Sequence, residues 1–359
     1  MPSVQLTSSP SYIRSTRDRL HRLLNTRFLA GVLLCGLLLA GCSTAPHTRQ
    51  LATSRPADLP VRHTIEQVPF FPQTRYQCGP AALATVLATH GIDVTPDTLV
   101  DLVYTPALQG SLTEEMTAAA RRYGMLAYPL APSLADMLDE IAHDRPVLVF
   151  QNLGLRWLQK LHYAVAVGYD LDVNELVLRS GTTRQRRMPL DTFEHTWARG
   201  GYRAWVMLPA GEVPHTATPL PYLQAARDLE QTAGPDTAHP AWQAATRKWP
   251  QSFHAWMTLG NNLNAVDDFM SAMTAFRQAT RIAPDEPAGW NNLAYALLDV
   301  QCPQQALQAV HCATRLAPGN EQVLQTAAEI RQRATGTDAT HCRAVSCNTG
   351  KVQDHSPTP

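Results

Sequence analysis

The chain has 359 residues, enough for two modest domains with tails, and 45% of them are hydrophobic, which excludes a generally disordered protein. Its 30 basic and 30 acidic residues cancel to a formal charge of zero. No basic run interleaved with aromatic residues occurs, so nothing in the sequence points to nucleic acid as a partner.

The N-terminus reads as an export signal. Arg14, Arg17, Arg19, Arg22 and Arg27 precede FLAGVLLCGLLLAGC (28–42), whose apolar run of about 13 residues is too short for a spanning helix. Against the single Asp18 these arginines give residues 1–41 a net +4, so their removal leaves a mildly acidic chain of −4. Leu39-Ala40-Gly41-Cys42 resembles the lipobox of bacterial lipoproteins. That resemblance implies a signal peptide over 1–41, lipidation of Cys42 and, with Ser43 next, anchoring to the outer membrane on its periplasmic face. Residues 43–63, STAPHTRQLATSRPADLPVRH, are polar and contain proline, so 42–63 is expected to be a lipidated tether.

Residues 64–210 carry helices first and strands later, the pattern of an α+β domain. In QTRYQCGPAALATVL (73–87), Pro80 suits a first helical turn, and Ala82, Leu83, Val86, Leu87 and His90 recur at three- and four-residue spacing before a stop at Gly91. Cys78 therefore sits at a helix start, where unpaired N–H groups and the dipole favour a thiolate. Further helices are predicted over Pro96–Tyr104, over Leu112–Tyr123 behind a Ser111–Glu114 capping box, and over Leu134–His143 behind Ser133. Then the period changes: 146–151, 162–169, 175–180 and 202–209 read as strands, with a hairpin turn at DLDVN (170–174).

A cysteine opening a helix and His162 opening a strand are the parts of a nucleophile and its proton shuttle. VPFFPQTRYQCGPAALATVL together with LHYAVAVGYD resembles the papain-like cysteine peptidases of the bacteriocin-processing, double-glycine-leader family, over residues 66–208. The resemblance implies Cys78 as nucleophile, His162 as general base and acid, and Gln73 as an oxyanion donor beside the Cys78 backbone N–H, with Gln77 as a competing candidate. The family usually places an acid after the next strand to orient the imidazole. Here VLRSGT puts Ser180 there, with Asn152 and Asp170 as other candidates. Cys78 and His162 lack partners at metal-ligand spacing, so neither metal nor cofactor is expected. His90, His143 and His195 read as surface or packing residues.

After a linker (211–220), a 34-residue period sets in. Trp256, Leu259, Gly260, Leu263, Ala272, Phe276, Ala279 and Pro284 are answered by Trp290, Leu293, Ala294, Leu297, Ala306, Val310, Ala313 and Pro318. Tyr222, Ala226, Leu229, Ala238, Trp242, Ala245 and Pro250 form a weaker first unit, and Leu324 and Ala328 continue into a capping helix. The pattern over 221–335 resembles tetratricopeptide repeats, an all-α solenoid whose groove usually holds a protein segment. Asn261, Asn262, Asn291 and Asn292 are candidates to face that groove.

Residues 336–359 are expected to be a disordered tail. Cys302 and Cys312 lie ten residues, or ~15 Å, apart on one predicted helix and cannot bridge each other, whereas Cys342 and Cys347 could pair in an oxidising compartment. The sequence thus points to an envelope-anchored cysteine peptidase acting on peptide or related amide bonds, with a repeat array for a protein partner. Its rivals are a non-catalytic scaffold on the same folds, which Ser180 in the acid's place keeps open, and an acyl or amide transferase using the same residues.

Overall fold

The computed structural model of the chain describes residues 45–72 and 77–347. The expected signal peptide, the lipidation site Cys42 and the oxyanion candidate Gln73 lie outside the described residues. Among the described residues no helix is long and apolar enough to cross a membrane.

The polar stretch after Ser43 is not a free tether. Residues Pro46–Thr53 form helix α1, and Arg62–Thr64 form strand β1, which pairs antiparallel with a later strand of the sheet. The reason for α1's docking is a buried carboxylate. Glu194, 1% exposed, accepts the backbone N–H groups of His47 (2.9 Å) and Thr48 (2.7 Å) and the Thr48 hydroxyl (2.7 Å), satisfying orphan donors of the first turn. The His47 ring packs edge-on to Tyr202 with centroids 5.3 Å apart.

Helix α2 (Cys78–Thr89) is buried from Gly79 to Leu87, the hydrophobic hub of the first domain, and Gly91 at φ +76° ends it. Helices α3 (Pro96–Val103), α4 (Thr113–Arg122) and α5 (Leu134–Ala142) follow, with β2 (Met125–Pro129) between the last two. Ser133 caps α5 as expected, accepting from the Asp136 N–H. The expected Ser111–Glu114 box does not form. Leu112 takes the N-cap position, and Ser111 instead packs against α2 where a Cβ on Gly79 would collide with it.

Strands β3 (Val147–Asn152), β4 (Leu161–Asp170), β5 (Glu175–Ser180), β6 (Thr183–Pro189) and β7 (Ala204–Pro209), with helix α6 (Leu190–Arg199) before β7, complete the domain. The sheet runs β2-β7-β3-β4-β5-β6, antiparallel throughout, with β1 added to β4. Gly168 allows that addition: a side chain there would meet the Thr64 hydroxyl at 2.7 Å and the His63 carbonyl at 2.9 Å.

From Pro219 the chain is all helix: α7 (Pro219–Ala233), α8 (Pro235–Lys248), α9 (Phe253–Ala265), α10 (Phe269–Ile282), α11 (Pro287–Asp299), α12 (Pro303–Leu316) and α13 (Glu321–Arg333). These are the helix pairs of a tetratricopeptide-type solenoid. The 34-residue period shows in the bonding: the indole N–H of Trp256 donates to the Pro250 carbonyl (2.9 Å), and that of Trp290 to the Pro284 carbonyl (2.8 Å). α7 lies against the first domain, where Arg121 pairs with Asp228 at 2.9 Å.

The C-terminal residues up to Cys347 differ from a loose tail. Cys342 and Cys347 do not bond to each other; the disulfides are Cys302–Cys342 and Cys312–Cys347. Cys302 is the N-cap of α12 and Cys312 lies within it, so residues 338–347 are stapled along that helix rather than loose. The Ala339 N–H also donates to the Gln301 carbonyl (3.1 Å), and the Arg277 guanidinium to the Arg343 carbonyl (2.9 Å). The asparagines divide as well. Asn262 is buried, bonded to Glu230 (2.6 Å) and His239 (2.7 Å), and Asn291 is buried too, so neither serves a groove. Asn292 donates to Asn261 (2.9 Å) on the more open side.

Candidate active site

Cys78 opens α2, the helix packed under the sheet, and is the free cysteine among the described residues. His162 is the second residue of β4. Both line one cleft of about 860 Å³, with Tyr163, Phe150, Leu112 and Gly181 among its other walls. The thiol faces the backbone N–H groups of Tyr163, Gly79 and Cys78 itself, which favour thiolate, but burial outweighs them and leaves its pKa raised. Because Tyr163 directly follows His162, that contact seats the sulfur against the strand end that carries the imidazole.

The His162 Nε2 lies 2.8 Å from the Ser180 hydroxyl. A register shift in the β5–β6 pairing between Leu178 and Ser180 sits at this position, the kind of irregularity that re-aims a side chain at a strand end. Ser180 itself is 4% exposed. With Nε2 engaged, Nδ1 is the imidazole nitrogen left for proton traffic. The other orienter candidates are elsewhere. Asn152 spends its side chain on the loop after β3, accepting from the Gly154 (3.0 Å) and Lys160 (2.9 Å) N–H groups. Asp170 is at the far end of β4, roughly 26 Å along the strand from His162, and it caps the Asp172 N–H.

The electrostatics run against an ion pair at rest. Burial, then the charges of Arg186 and Lys160, push the His162 pKa down to about 4. A raised thiol and a depressed imidazole leave both partners neutral near pH 7. The cations were not among the residues picked out from the sequence. Arg186 lies on an exposed, polar strand that no apolar alternation announces, which is why pattern reading passed over it.

Metal-ligating geometry occurs away from this cleft. Among the described residues, ligand atoms of Asp139, His143 and His215 lie within 4.8 Å of one another. The other such group, Cys302, His341 and Cys342, has its sulfurs joined as a disulfide.

A helix-borne cysteine and a strand-borne histidine that line one cleft belong here to a papain-like α+β fold, followed by a helical-repeat solenoid. Residues 65–205 match the model of the Peptidase_C39 like family. Solved structures similar to it include the peptidase domain of Streptococcus ComA, a bifunctional ABC transporter involved in quorum sensing. It is 25% identical, with 40% of this chain and 99% of that one covered, at a TM-score of 0.34. A double-glycine-motif protease from an AMS/PCAT transporter, solved with its leader peptide, is 20% identical over 42% of this chain and 99% of its own, at a TM-score of 0.32. The helical half is similar to the first tetratricopeptide domain of Spaghetti (RPAP3) bound to an HSP90 peptide, with 13% identity over 31% of this chain and 88% of that one, at a TM-score of 0.30. No curated protein sequence matches the chain.

Proposed function

We propose that the protein is a cysteine peptidase, cutting peptide or related amide bonds, that is lipid-anchored through Cys42 at the periplasmic face of the outer membrane and uses its solenoid to hold a protein partner. The observation that carries the reading is the Cys78–His162 cleft with Ser180 fixing the imidazole at Nε2.

In this mechanism the imidazole Nδ1 takes the thiol proton as Sγ attacks the scissile carbonyl carbon. The carbonyl oxygen becomes an oxyanion facing the helix-start N–H groups, with Gln73 as an added donor. The imidazolium returns its proton to the departing amine as the C–N bond breaks, leaving a thioester. Water then attacks the thioester, giving its proton to the imidazole, and the acid leaves as the thiol is restored. Ser180 can hold the ring in register but offers no negative charge to the imidazolium, so proton transfer should be nearly concerted with attack. Lys160 and Arg186 disfavour the imidazolium.

The experiment is turnover of a degenerate peptide library by wild type and Cys78→Ala. The substitution should abolish cleavage and leave the thermal transition in place; equal cleavage by both would refute the assignment. The neutral resting pair favours a second reading, a scaffold that retains the fold without the chemistry. A thiol that reacts with iodoacetamide no faster than a model thiol at pH 7, together with no cleavage by wild type, would establish it.

A further inference from the structure

Between β3 and β4 the chain forms a short ordered hairpin, Leu153–Lys160, whose tip is apolar and bare. Trp157 is 83% exposed, Leu158 70% and Leu155 50%. This is not a floppy loop. The Leu153 N–H donates to the Lys160 carbonyl (2.8 Å), the Leu155 N–H to the Leu158 carbonyl (3.0 Å), and buried Asn152 ties both arms. Gly154 is required there, because a Cβ would run into the Leu158 carbonyl. A rigid hairpin that presents an indole and two leucines to solvent is held open for a partner.

Three observations choose the partner. First, Leu155, Trp157 and Leu158 do not line the cleft, although Gln159, Lys160 and Leu161 next to them do, so the bare tip stands at the cleft's mouth and outside it. Second, the stretch from Leu153 to Leu161 holds Arg156 and Lys160 and no acidic residue, the flanks that an apolar tip needs at a surface of anionic headgroups. Third, the hairpin base is tied to α6, the helix against which His47 packs. Arg199 at the end of α6 donates to the Asn152 carbonyl (3.2 Å), and Trp197, two residues earlier, packs against His47 with centroids 6.3 Å apart.

The geometry points to the 155–158 hairpin tip as a second membrane contact, inserting Trp157 and Leu158 into the interfacial layer of an anionic phospholipid surface and holding the cleft mouth beside it. Aromatic and leucine side chains partition into that layer while Arg156 and Lys160 meet phosphates. A lipid anchor alone holds the chain at the membrane without fixing how it sits there, so a second attachment point sets the orientation. The inference rests on the lipid-anchor reading for its geometry but is testable apart from it.

The full chain is reconstituted with vesicles of phosphatidylethanolamine and phosphatidylglycerol carrying brominated acyl chains, and tryptophan quenching is compared between wild type and Trp157→Phe. Quenching that the substitution removes is the expected result. Wild type should also shift its emission to the blue, and the double variant Trp157→Ser/Leu158→Ser should lower partitioning by about tenfold or more. Mass spectrometry of Cys42 in the same sample separates the two readings. An acylated chain whose Trp157 is not quenched overturns the hairpin contact while leaving the anchor intact. Quenching without acylation leaves the contact standing and removes the anchor. Equal vesicle partitioning of wild type and Trp157→Ser, together with a raised KM of the variant for a soluble peptide, assigns the tip to substrate and overturns the proposal.

Discussion

Replacing Ser180 with Asp supplies the charge that the site lacks, and its effect can be worked from the geometry. The serine hydroxyl is 2.8 Å from Nε2, so a carboxylate there sits about 4 Å from the centre of the imidazolium charge. At an effective dielectric of about 20 the attraction is roughly 4 kcal/mol, which at about 1.36 kcal/mol per unit raises the imidazole by about three pK units. From about 4 in wild type, it would then titrate near ~7. Arg186 and Lys160 already act on this imidazole and would keep the new carboxylate ionised although the position is buried. The assay is the pH dependence of Cys78 alkylation by iodoacetamide, followed beside peptide turnover. In wild type both should rise only toward alkaline pH, because the thiol is raised and the imidazole holds no proton at neutrality. In Ser180→Asp a thiolate–imidazolium pair becomes accessible, and alkylation at pH 6–7 should quicken by about tenfold or more. Ser180→Ala removes one hydrogen bond between neutral groups, worth about 1 kcal/mol, so its turnover should fall by only about fivefold. A Ser180→Asp profile that superimposes on wild type would refute both the orienting role of Ser180 and the coupling of this imidazole to the thiol.

Other outcomes follow from the same coordinates. Because the His162 pKa is depressed in the fold, the unfolded chain takes up that proton first as pH falls; the stability present at neutral pH should be lost between about pH 6.5 and 4 by roughly 3 kcal/mol, and His162→Gln should remove that loss in denaturant titrations at pH 7 and 4. The disulfides close loops of 40 and 35 residues, so Cys342→Ser and Cys347→Ser should each destabilise the solenoid by about 4 kcal/mol in the chain-entropy picture, and a non-reducing peptide map should return 302–342 and 312–347 pairs. In α9 a Cβ on Gly260 would lie 2.5–2.8 Å from ring carbons of Phe276. Gly260→Ala should therefore lower stability by about 1–2 kcal/mol despite its better helix propensity. Adding Phe276→Val reproduces the Ala294 and Val310 found one repeat later, and should raise the melting temperature above that of the single variant.

The parts legible in the sequence are those where one physical signal dominates. The 34-residue period announced the solenoid because each unit repeats its small and bulky positions. The buried strands β3, β4 and β5 read as strands because apolar and β-branched residues crowd them. Of the elements absent from the sequence reading, β2 and α6 do carry buried apolar residues, whereas β1, β6 and α1 lack that signal. β1 is three residues long and exists through pairing with β4 at Gly168, and β6, TRQRRMP, is an exposed edge with five consecutive exposed residues. Helix α1 reads as polar linker because the group that fixes it, Glu194, lies 146 residues away from Thr48. Among the candidate site residues, Cys78 and His162 are marked in the sequence by their places at element starts. Ser180 stayed one candidate among several, since choosing it over Asn152 or Asp170 requires the strand register, which depends on bulges that composition does not reveal.

The cysteines show most directly why pairing could not be read from spacing within one element. Ten residues of helix between Cys302 and Cys312 rise ~15 Å, and five residues of extended chain between Cys342 and Cys347 span at most about 17 Å. The two separations match, so a tail laid along α12 in the same direction brings both pairs into register at once. Each cysteine is too far from its neighbour on the helix, yet well placed for a partner across from it. The same logic governs the cleft. A helix start and a strand start each offered a reactive group, and what joins them is the packing of one element on the other, a distance that no count along the chain contains.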